Sequence, residues 1–281
     1  MIKKFLKNHF IFLLIFIAAL AVRLYKIDSP IADWHSWRQA DTSSVTRVFE
    51  QEGINLFIPR YQDISNIPSG LENPEGYRMV EFPLYNLAHL GVFKLGNLDL
   101  ETSGRLTSVI LSLISLTLIY LIALKLSGKK TAIYSSIFFA LMPFNIFYSR
   151  VVLPEPLMIT LFLTSFYLLL KEKIPLGFLF FGLALLVKPY AIFFSLPFLL
   201  LLKKDNFKKF IFFGILSIVP FILWRKYYHR LLVLHSQCGV VDNYSSSLSP
   251  FQMLQIRFAN QLFQVSYINI HTQYQLLSVQ S

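Results

Sequence analysis

Apolar runs close to the thickness of a membrane recur along the whole chain, and they limit the folds that are open to it. The runs cover residues 10–22, 106–126, 131–147, 155–170, 174–187, 190–202 and 210–224. Helices are the spanning elements that satisfy their own backbone hydrogen bonds in lipid. Only 15% of the residues are charged, against about a quarter in a soluble domain. The sequence therefore predicts an all-α polytopic membrane protein with about seven spans.

Lysine clusters between the runs predict which side of the membrane each loop occupies. The clusters lie at 3–7, 125–130, 171–173 and 203–209. With seven spans all of them fall on the side of the N-terminus, as the positive-inside rule requires for cytoplasmic loops. Arg225, Lys226 and Arg230 depart from this rule, since they follow the seventh span. The net charge of +11 is thus explained by inner loops, and we expect membrane lipids and no nucleic acid as partners.

Two parts of this topology have alternatives. Residues 174–202 are either one long helix or two short spans with Lys188-Pro189 at their outer tip. We prefer the second, because the first would place the lysines at 203–209 outside. Residues 1–22 are either the first span or a cleaved signal peptide, for which Ala19-Leu20-Ala21 is a cleavage-like site. In both cases residue 28 onward emerges outside.

The first outer loop, residues 28–104, is the main extramembrane region, and it holds 11 of the 15 acidic residues. Two amphipathic helices are predicted in it, one from Asp41 to Gly53 with Thr42 as cap and one over 82–96. We expect both to lie in the membrane interface. Residues 1–228 form the transmembrane region, whereas 229–281 has no membrane-length run and is predicted to be an atypical tail, disordered or frame-shifted.

The segment Asp33-Trp-His-Ser-Trp-Arg-Gln-Ala-Asp-Thr42 places two acids, two tryptophans, a histidine and an arginine together at the membrane surface. Such groups are costly there unless they are used. Asp41, with Arg38 three residues earlier, is the first candidate functional residue. Helix capping is the alternative role for Asp41, and Asp33 is its rival within the segment.

Three further polar residues fall on the predicted outer side. Glu81 precedes the second amphipathic helix, Glu155 stands between two prolines five residues after Arg150, and Lys188 precedes Pro189. The alternatives are a capping role for Glu81, an Arg150–Glu155 pair at a helix end, and a snorkelling lysine. Together the acids can act as a base or hold a metal, and the cations can hold a phosphate. A lipid-phosphate substrate would fit this set.

The order of these motifs resembles that of bacterial membrane glycosyltransferases of the GT-C fold. The motifs are Trp-Arg-Gln-Ala-Asp-Thr (37–42), Glu-Phe-Pro-Leu-Tyr (81–85), Pro-Glu-Pro (154–156) and Leu-Val-Lys-Pro (186–189). The chain looks most similar, over about residues 1–228, to the dolichyl-phosphate-mannose–protein mannosyltransferase-like enzymes, with the lipid A aminoarabinose transferases as more distant relatives. The predicted fold is thus a partial GT-C fold.

The resemblance implies a role for each candidate residue. Asp41 matches the catalytic acid of the first outer loop, and Glu81 matches an acid that lines the site and can take part in binding a divalent metal ion. Glu155 matches a second acid, for substrate or metal. Lys188 matches a lysine near the lipid phosphate, and Arg38 and Arg150 are the other cations we assign to the phosphate.

The implied reaction transfers a sugar, with inversion, from a polyprenyl-phosphate donor to a glycan, lipid or protein acceptor at the outer face of the bacterial cytoplasmic membrane. Family members have around a dozen spans and roughly twice this length, so we expect a truncated or frame-shifted product. The alternatives are a membrane transporter or lipid-handling protein, and an inactive remnant of the glycosyltransferase.

Overall fold

The structure, a computed structural model, describes residues 2–64, 73, 75–78 and 80–238, with the side chains of residues 2–9 and 228–238 left out. Within these residues it is all-helical, as predicted, and an isolated bridge pairs Arg60 with Tyr77. The α-helices are α1 (Ile2–Leu24), α2 (Ser36–Glu52), α3 (Leu84–Gly96), α4 (Leu100–Ser127), α5 (Lys129–Leu141), α6 (Pro143–Tyr148), α7 (Glu155–Leu170), α8 (Ile174–Val187) and α9 (Phe207–Cys238). Two 3-10 helices cover Pro189–Leu201 and Lys204–Asn206.

The chain divides into two units. The first is Met1–Asp63 with Glu75–Val233, and it contains the elements discussed below. The second is Ile64–Pro74 with Leu234–Ser281, most of which lies outside the described residues. The predicted tail 229–281 belongs to those residues except for the end of α9.

Helix α4 is the central element of the first unit, since it contacts α1, α2, α3, α5 and α7. Its apolar side packs on α1 and α5, and the buried residues of this cluster are Ala19, Val109, Leu113, Leu116 and Ala140. A separate small cluster joins α2 to α3 through Val45, Phe49 and Leu90. The two predicted outer-loop helices are therefore attached to the helical core through α4.

The 3-10 helix Pro189–Leu201 folds back on α8. The Phe198 ring centroid lies 5.1 Å from that of Phe181 and 6.1 Å from that of Phe178. The turn occurs at Lys188, which is extended because a following proline disfavours the helical conformation. The alternative of one long helix over 174–202 is therefore wrong, and Lys188-Pro189 lies at the tip of a hairpin.

The run 131–147, which we expected to be one span, is two helices. Pro143 begins α6, and Met142 before it is extended, so the last carbonyls of α5 lack helical donors. Buried Arg23 of α1 fills this role, because its Nη1 donates to the Ala140 carbonyl at 3.1 Å and its Nη2 to the Phe139 carbonyl at 3.4 Å. The helix break and the buried cation therefore compensate each other.

Two helical segments, Leu100–Ser127 and Lys204–Tyr227, are long and apolar enough by length and composition to cross a membrane. The remaining apolar helices in the described residues are shorter: Phe10–Leu24, Glu155–Leu170, Ile174–Val187 and Pro189–Leu201. Apolar helices of this kind are consistent with a membrane protein. The count of seven spans and their orientation stay predictions.

Helix α2 begins earlier than expected. It starts at Ser36, after His35 in the left-handed conformation (φ 61°), and ends at Gly53. Asp41 therefore lies inside the helix, and the capping roles considered for Asp41 and Thr42 are wrong. The second predicted helix, 82–96, is found as α3.

A buried histidine connects α2, α3 and α4. Nδ1 of His89 lies 3.0 Å from the Thr46 hydroxyl, and Nε2 lies 2.9 Å from the Leu100 carbonyl oxygen. Because a carbonyl can only accept, Nε2 carries the proton and the Thr46 hydroxyl donates to Nδ1. Burial lowers the pKa of His89 to about 4. The three helices are thus joined through a neutral imidazole.

The pH dependence of stability should reveal this imidazole. Its contribution is complete above the unfolded pKa of about 6.5 and is lost progressively as the pH falls towards about 4, because the unfolded state binds the proton first. We expect the thermal midpoint of the wild type to exceed that of His89→Gln by a margin that shrinks over this range. A constant offset between the wild type and His89→Gln over this range would contradict the assignment.

Gly104 marks a close approach of α4 to its neighbours. A Cβ at this position would lie 2.8 Å from Val152 Cγ1 and 2.9 Å from His89 Cε1. We expect Gly104→Ala to lower the free energy of unfolding by about 1–3 kcal/mol. Gly91→Ala is the matched control, because a Cβ at Gly91 meets nothing within 4 Å and alanine favours the helix. Denaturant titration of both variants tests this, and equal effects would refute the packing argument.

Candidate functional site

Arg38 and Asp41 lie three residues apart on α2, so their side chains reach the same region. They neighbour buried residues of the helix, among them Gln39, Val45 and Phe49. The Asp41 side chain is 21% exposed, so its carboxylate is neither fully solvated nor enclosed. Asp41 lies in the middle of a helix that is packed against its neighbours. The backbone that carries the carboxylate is therefore fixed in position.

Arg78 is the ion-pair partner of Asp41. Its Nη2 lies 3.2 Å from Asp41 Oδ2. Burial raises the pKa of Asp41, Arg78 and Arg38 act against this, and the negative charges of Asp63 and Glu81 add to the rise. The net effect is a raised pKa, so Asp41 is a stronger base than an ordinary aspartate.

The backbone around Arg78 is fixed by a short pairing of two loop segments. The Arg78 N–H donates to the Pro59 carbonyl at 2.8 Å, and the Tyr61 N–H donates to the Gly76 carbonyl at 2.8 Å. Gly76 has φ +64°, and a Cβ there would come within 2.4 Å of the Tyr61 carbonyl oxygen, so only glycine fits. The Arg78 guanidinium also lies over the Tyr61 ring, 5.3 Å from its centroid.

Lys188 brings two of the predicted acids together. Its Nζ lies 2.5 Å from Glu81 Oε1 and 3.0 Å from Glu155 Oε1. Arg38 also pairs with Glu81 Oε1. The backbone supports this geometry, because the Phe82 N–H donates to the Leu186 carbonyl at 3.3 Å, next to the hairpin tip. Four of the predicted residues, Arg38, Glu81, Glu155 and Lys188, therefore form one connected group.

The two acids on Lys188 differ in their environment. Burial opposes ionisation of Glu81, but the positive charges of Lys188 and Arg38 outweigh it, so that the pKa of Glu81 is lowered. Glu81 is therefore a carboxylate. Glu155 Oε2 is buried and has no hydrogen-bond partner within the described part of the chain. A buried acceptor without a donor is costly, and the Tyr190 side chain lies close enough to interact with Glu155.

The alternatives considered for these residues can now be judged. Helix α3 has Pro83 as its N-cap residue and no side-chain cap, so Glu81 does not cap it. Glu155 pairs with Lys188 and not with Arg150. Lys188 has a side chain that is only 9% exposed, which does not fit a snorkelling lysine. All three residues serve the ionic group.

Arg150 and Asp33 lie in a second group, which is organised by Arg105 of α4. Arg105 Nη1 donates to Asp33 Oδ2 at 3.3 Å and to the Arg150 carbonyl at 3.4 Å. Gln39 completes it, since its Nε2 donates to Asp33 Oδ1 at 2.6 Å and its Oε1 accepts from the Val152 N–H at 3.0 Å. Asp33 therefore positions α2 against the loop before α7. Asp33 thus belongs to this second group and not to the ionic group around Lys188.

A small pocket opens beside the ionic group. It lies between α2, the segment before α3, and the loop before α7, and its charged lining residues are Arg78 and Glu81. The full lining is Thr42, Val45, Pro59, Arg78, Glu81, Phe82, Pro83, Tyr85, Asn86 and Pro154. The lining combines two charged side chains with apolar and aromatic ones, as ligand sites commonly do.

The possible metal site differs from the expectation. Lys188 occupies the space between Glu81 and Glu155, where a divalent cation would have to lie. Within the residues whose positions are described, no group of three or more His, Cys, Asp or Glu side chains is arranged to hold a metal ion. The residues present do not form a metal cage in this arrangement, and metal binding by Glu81 and Glu155 stays a prediction.

Three residues of these two groups were missed by the sequence analysis, namely Arg78, Gln39 and Arg105. Arg105 carries a signal, because it is a charged residue at the edge of an apolar run and is only 2% exposed. Gln39 stands inside the segment that we singled out, but an amide gives no sign of its partners. Arg78 looks like any arginine of a polar loop, and its role depends on the pairing of Tyr61 with Gly76.

Comparison with known proteins gives one match. A protein-family model described as dolichyl-phosphate-mannose-protein mannosyltransferase matches residues 83–224. This range covers half of the chain and includes Arg150, Glu155 and Lys188, and it begins two residues after Glu81. No curated protein and no solved structure shows significant similarity to the chain.

The ionic group should be sensitive to loss of Lys188. Lys188→Met leaves Glu81 and Glu155 without their shared cation, and removing one partner of a buried pair costs about 3 kcal/mol or more. We expect a large drop in thermal midpoint at neutral pH. The drop should become smaller in acid, because the lowered pKa of Glu81 means that the pair's contribution is lost as the pH falls through that pKa.

Lys203→Met is the matched control. Lys203 Nζ also lies 2.5 Å from a carboxylate, that of Glu172, but the two side chains are 62% and 61% exposed. Solvent screens such a pair, and we expect no measurable change. Equal effects of the two substitutions would contradict the structural role of Lys188.

Proposed function

Because the chain belongs to the dolichyl-phosphate-mannose-protein mannosyltransferase family, we propose that it transfers a sugar from a polyprenyl-phosphate donor to an acceptor hydroxyl at the outer face of the cytoplasmic membrane. The family is one of GT-C membrane glycosyltransferases. Members use a polyprenyl-phosphate-linked sugar as donor and a glycan or protein as acceptor. The apolar helices of this chain fit that setting.

The observation that carries the proposal is the convergence of Asp41, Arg38, Glu81, Glu155 and Lys188. These residues come from four separate parts of the chain. Arg38, Glu81, Glu155 and Lys188 form one ion-paired group, Asp41 pairs with Arg78, and Glu81 and Arg78 line the pocket. Apolar helices that only spanned a membrane would have no need of such a group. A reaction in which a phosphate leaves needs a base and positive charge near the phosphate. Carboxylates beside cations can supply both.

Asp41 is the base in the proposed reaction. It accepts the proton of the acceptor hydroxyl while the hydroxyl oxygen bonds to the anomeric carbon. The bond between that carbon and the phosphate oxygen breaks, and the polyprenyl phosphate leaves with the electron pair. Attack opposite to the leaving group inverts the anomeric configuration. The raised pKa of Asp41 supports this role, since a base closer to neutral pH accepts a proton more readily.

The cations of the site serve the leaving phosphate. Arg38 and Lys188 lie next to Glu81 and can share their charge with an incoming phosphate. Glu155 Oε2, buried without a partner among the residues the structure describes, can accept from a sugar hydroxyl. Arg150 lies in the neighbouring group around Arg105, so we assign it a more distant part in holding the donor. No step in this scheme uses a metal ion.

Asp41→Asn tests the proposed base. We expect the transfer of labelled sugar from its polyprenyl phosphate to fall by about a hundredfold or more, because a positioned general base contributes at least about that factor. The assay uses the protein in lipid vesicles, and nuclear magnetic resonance of the product reports the anomeric configuration. Unchanged transfer by Asp41→Asn would remove Asp41 from the mechanism, and retention of configuration would contradict the direct displacement.

Glu52→Gln provides the control for this measurement. Glu52 ends the same helix, and its partner is the exposed Arg60. The substitution removes a carboxylate from α2 without touching the ionic group, so transfer should be unaffected. Absence of transfer in the wild type with polyprenyl-phosphate sugars of several kinds would count against the proposed function itself.

A further inference from the structure

Arg78 differs from the other two cations of the site in the carboxylate that it contacts. Lys188 and Arg38 both pair with Glu81, whereas Arg78 pairs with Asp41. The cation that neutralises the proposed base is therefore a separate group. It is also held on a separate piece of backbone, the pairing of the loop segments at 59–61 and 76–78.

Arg78 also lines the pocket, in which Glu81 is the other charged lining residue. An anion that enters this pocket meets the Arg78 guanidinium as its nearest lining cation. Guanidinium binds phosphate through two parallel hydrogen bonds, which a single carboxylate oxygen at 3.2 Å does not match. A phosphate is therefore a strong competitor for Arg78.

We propose that Arg78 exchanges its ion pair with Asp41 for the phosphate of the bound donor. In the free protein Arg78 stabilises the charge of Asp41 and makes it a poorer base. When the phosphate binds the Arg78 guanidinium, Asp41 loses its ion-pair partner and can accept the proton of the acceptor hydroxyl. Binding of the donor thus activates the base. This inference rests on the proposed function, which supplies the phosphate and the role of Asp41.

Competition of this kind has a thermodynamic consequence that a structural role for Arg78 lacks. If Asp41 and the phosphate compete for one guanidinium, removing the charge of Asp41 must strengthen phosphate binding. The substitution Asp41→Asn, which lowers transfer in the proposed mechanism, should therefore tighten the binding of a prenyl phosphate. Removing Arg78 should weaken binding, and it should also cancel the gain from Asp41→Asn.

Binding of farnesyl phosphate to the full-length protein in nanodiscs tests the exchange without any transfer step. We expect Asp41→Asn to bind about three- to tenfold more tightly than the wild type. Arg78→Gln should bind several-fold more weakly, and the double variant should equal Arg78→Gln. Arg78→Lys, which keeps the charge but loses the planar fork, should fall between wild type and Arg78→Gln. Circular dichroism and thermal midpoints accompany each variant.

Matched controls come from an exposed pair outside the site. Lys203 Nζ lies 2.5 Å from Glu172 Oε1, so Glu172→Gln and Lys203→Gln alter charge as the test variants do, and neither should change the affinity. Farnesol reports the contribution of the hydrocarbon alone. Inorganic phosphate distinguishes a lipid-linked phosphate from free phosphate: equal affinities for the two phosphates would overturn assignment of the site to the lipid donor.

The remaining outcomes separate this inference from the proposed function. Equal affinities of wild type and Asp41→Asn for farnesyl phosphate, with binding intact, would overturn the exchange and leave the proposed function standing. Tightening by Asp41→Asn that persists in the double variant would also overturn it, since Arg78 would not be the shared group. Wild type that binds farnesyl phosphate no better than farnesol would overturn both.

Discussion

The contact on which the site depends is the ammonium of Lys188 between the carboxylates of Glu81 and Glu155. Glu81 depends on this contact most, because its side chain is only 14% exposed and an unpaired carboxylate at such a position is costly. The contact exists because Pro189 ends α8 and leaves Lys188 in an extended conformation at the tip of the hairpin. Lys188, at the tip of the hairpin, therefore lies where the first outer loop contacts the start of α7.

A second cation, Arg105, also holds the first outer loop in place. Arg105 is buried at the start of α4 and donates to Asp33 and to the carbonyls of Pro30 and Arg150. A guanidinium has five donors in one plane, so it can hold acceptors from several segments at once. Gln39 extends this connection to the backbone of Val152. Helix α2 is therefore held between Arg105 and the ionic group, and this fixes the orientation of Asp41.

The sequence predicts much of this fold because its helices are encoded locally. Apolar periodicity and length indicated α3, α4, α7 and α8, and Pro189 favoured the hairpin. The start of α2 was misplaced, because His35 begins the helix from a left-handed conformation without a capping side chain, which leaves no sequence signal. The break between α5 and α6 was missed because the apolar run continues through Pro143, and its compensation by Arg23 comes from another helix.

The site residues divide in the same way. Asp41, Glu81, Glu155 and Lys188 could be predicted, since each is a charged residue next to an apolar segment, where charge is costly. The pairing of these residues with one another could not be predicted, because tertiary contacts decide which acid pairs with which cation. Arg150 shows this, as its spacing from Glu155 suggested a pair as the alternative role, whereas Glu155 pairs with Lys188. Arg78 lies in a polar loop, where an arginine is common. The sequence therefore contains no indication of its role.

The charges of the site sum to zero, with three acids, Asp41, Glu81 and Glu155, and three cations, Arg38, Arg78 and Lys188. Such a group is stable in the absence of a ligand, because each charge has a partner. An incoming phosphate adds negative charge, and in a partly buried site this must be balanced by a proton or by a rearranged pair. Glu81 is stabilised as a carboxylate by two cations, whereas burial raises the pKa of Asp41. Asp41 is therefore the acid of the site that takes up a proton most readily, and in the proposed reaction that proton is the one lost by the acceptor hydroxyl.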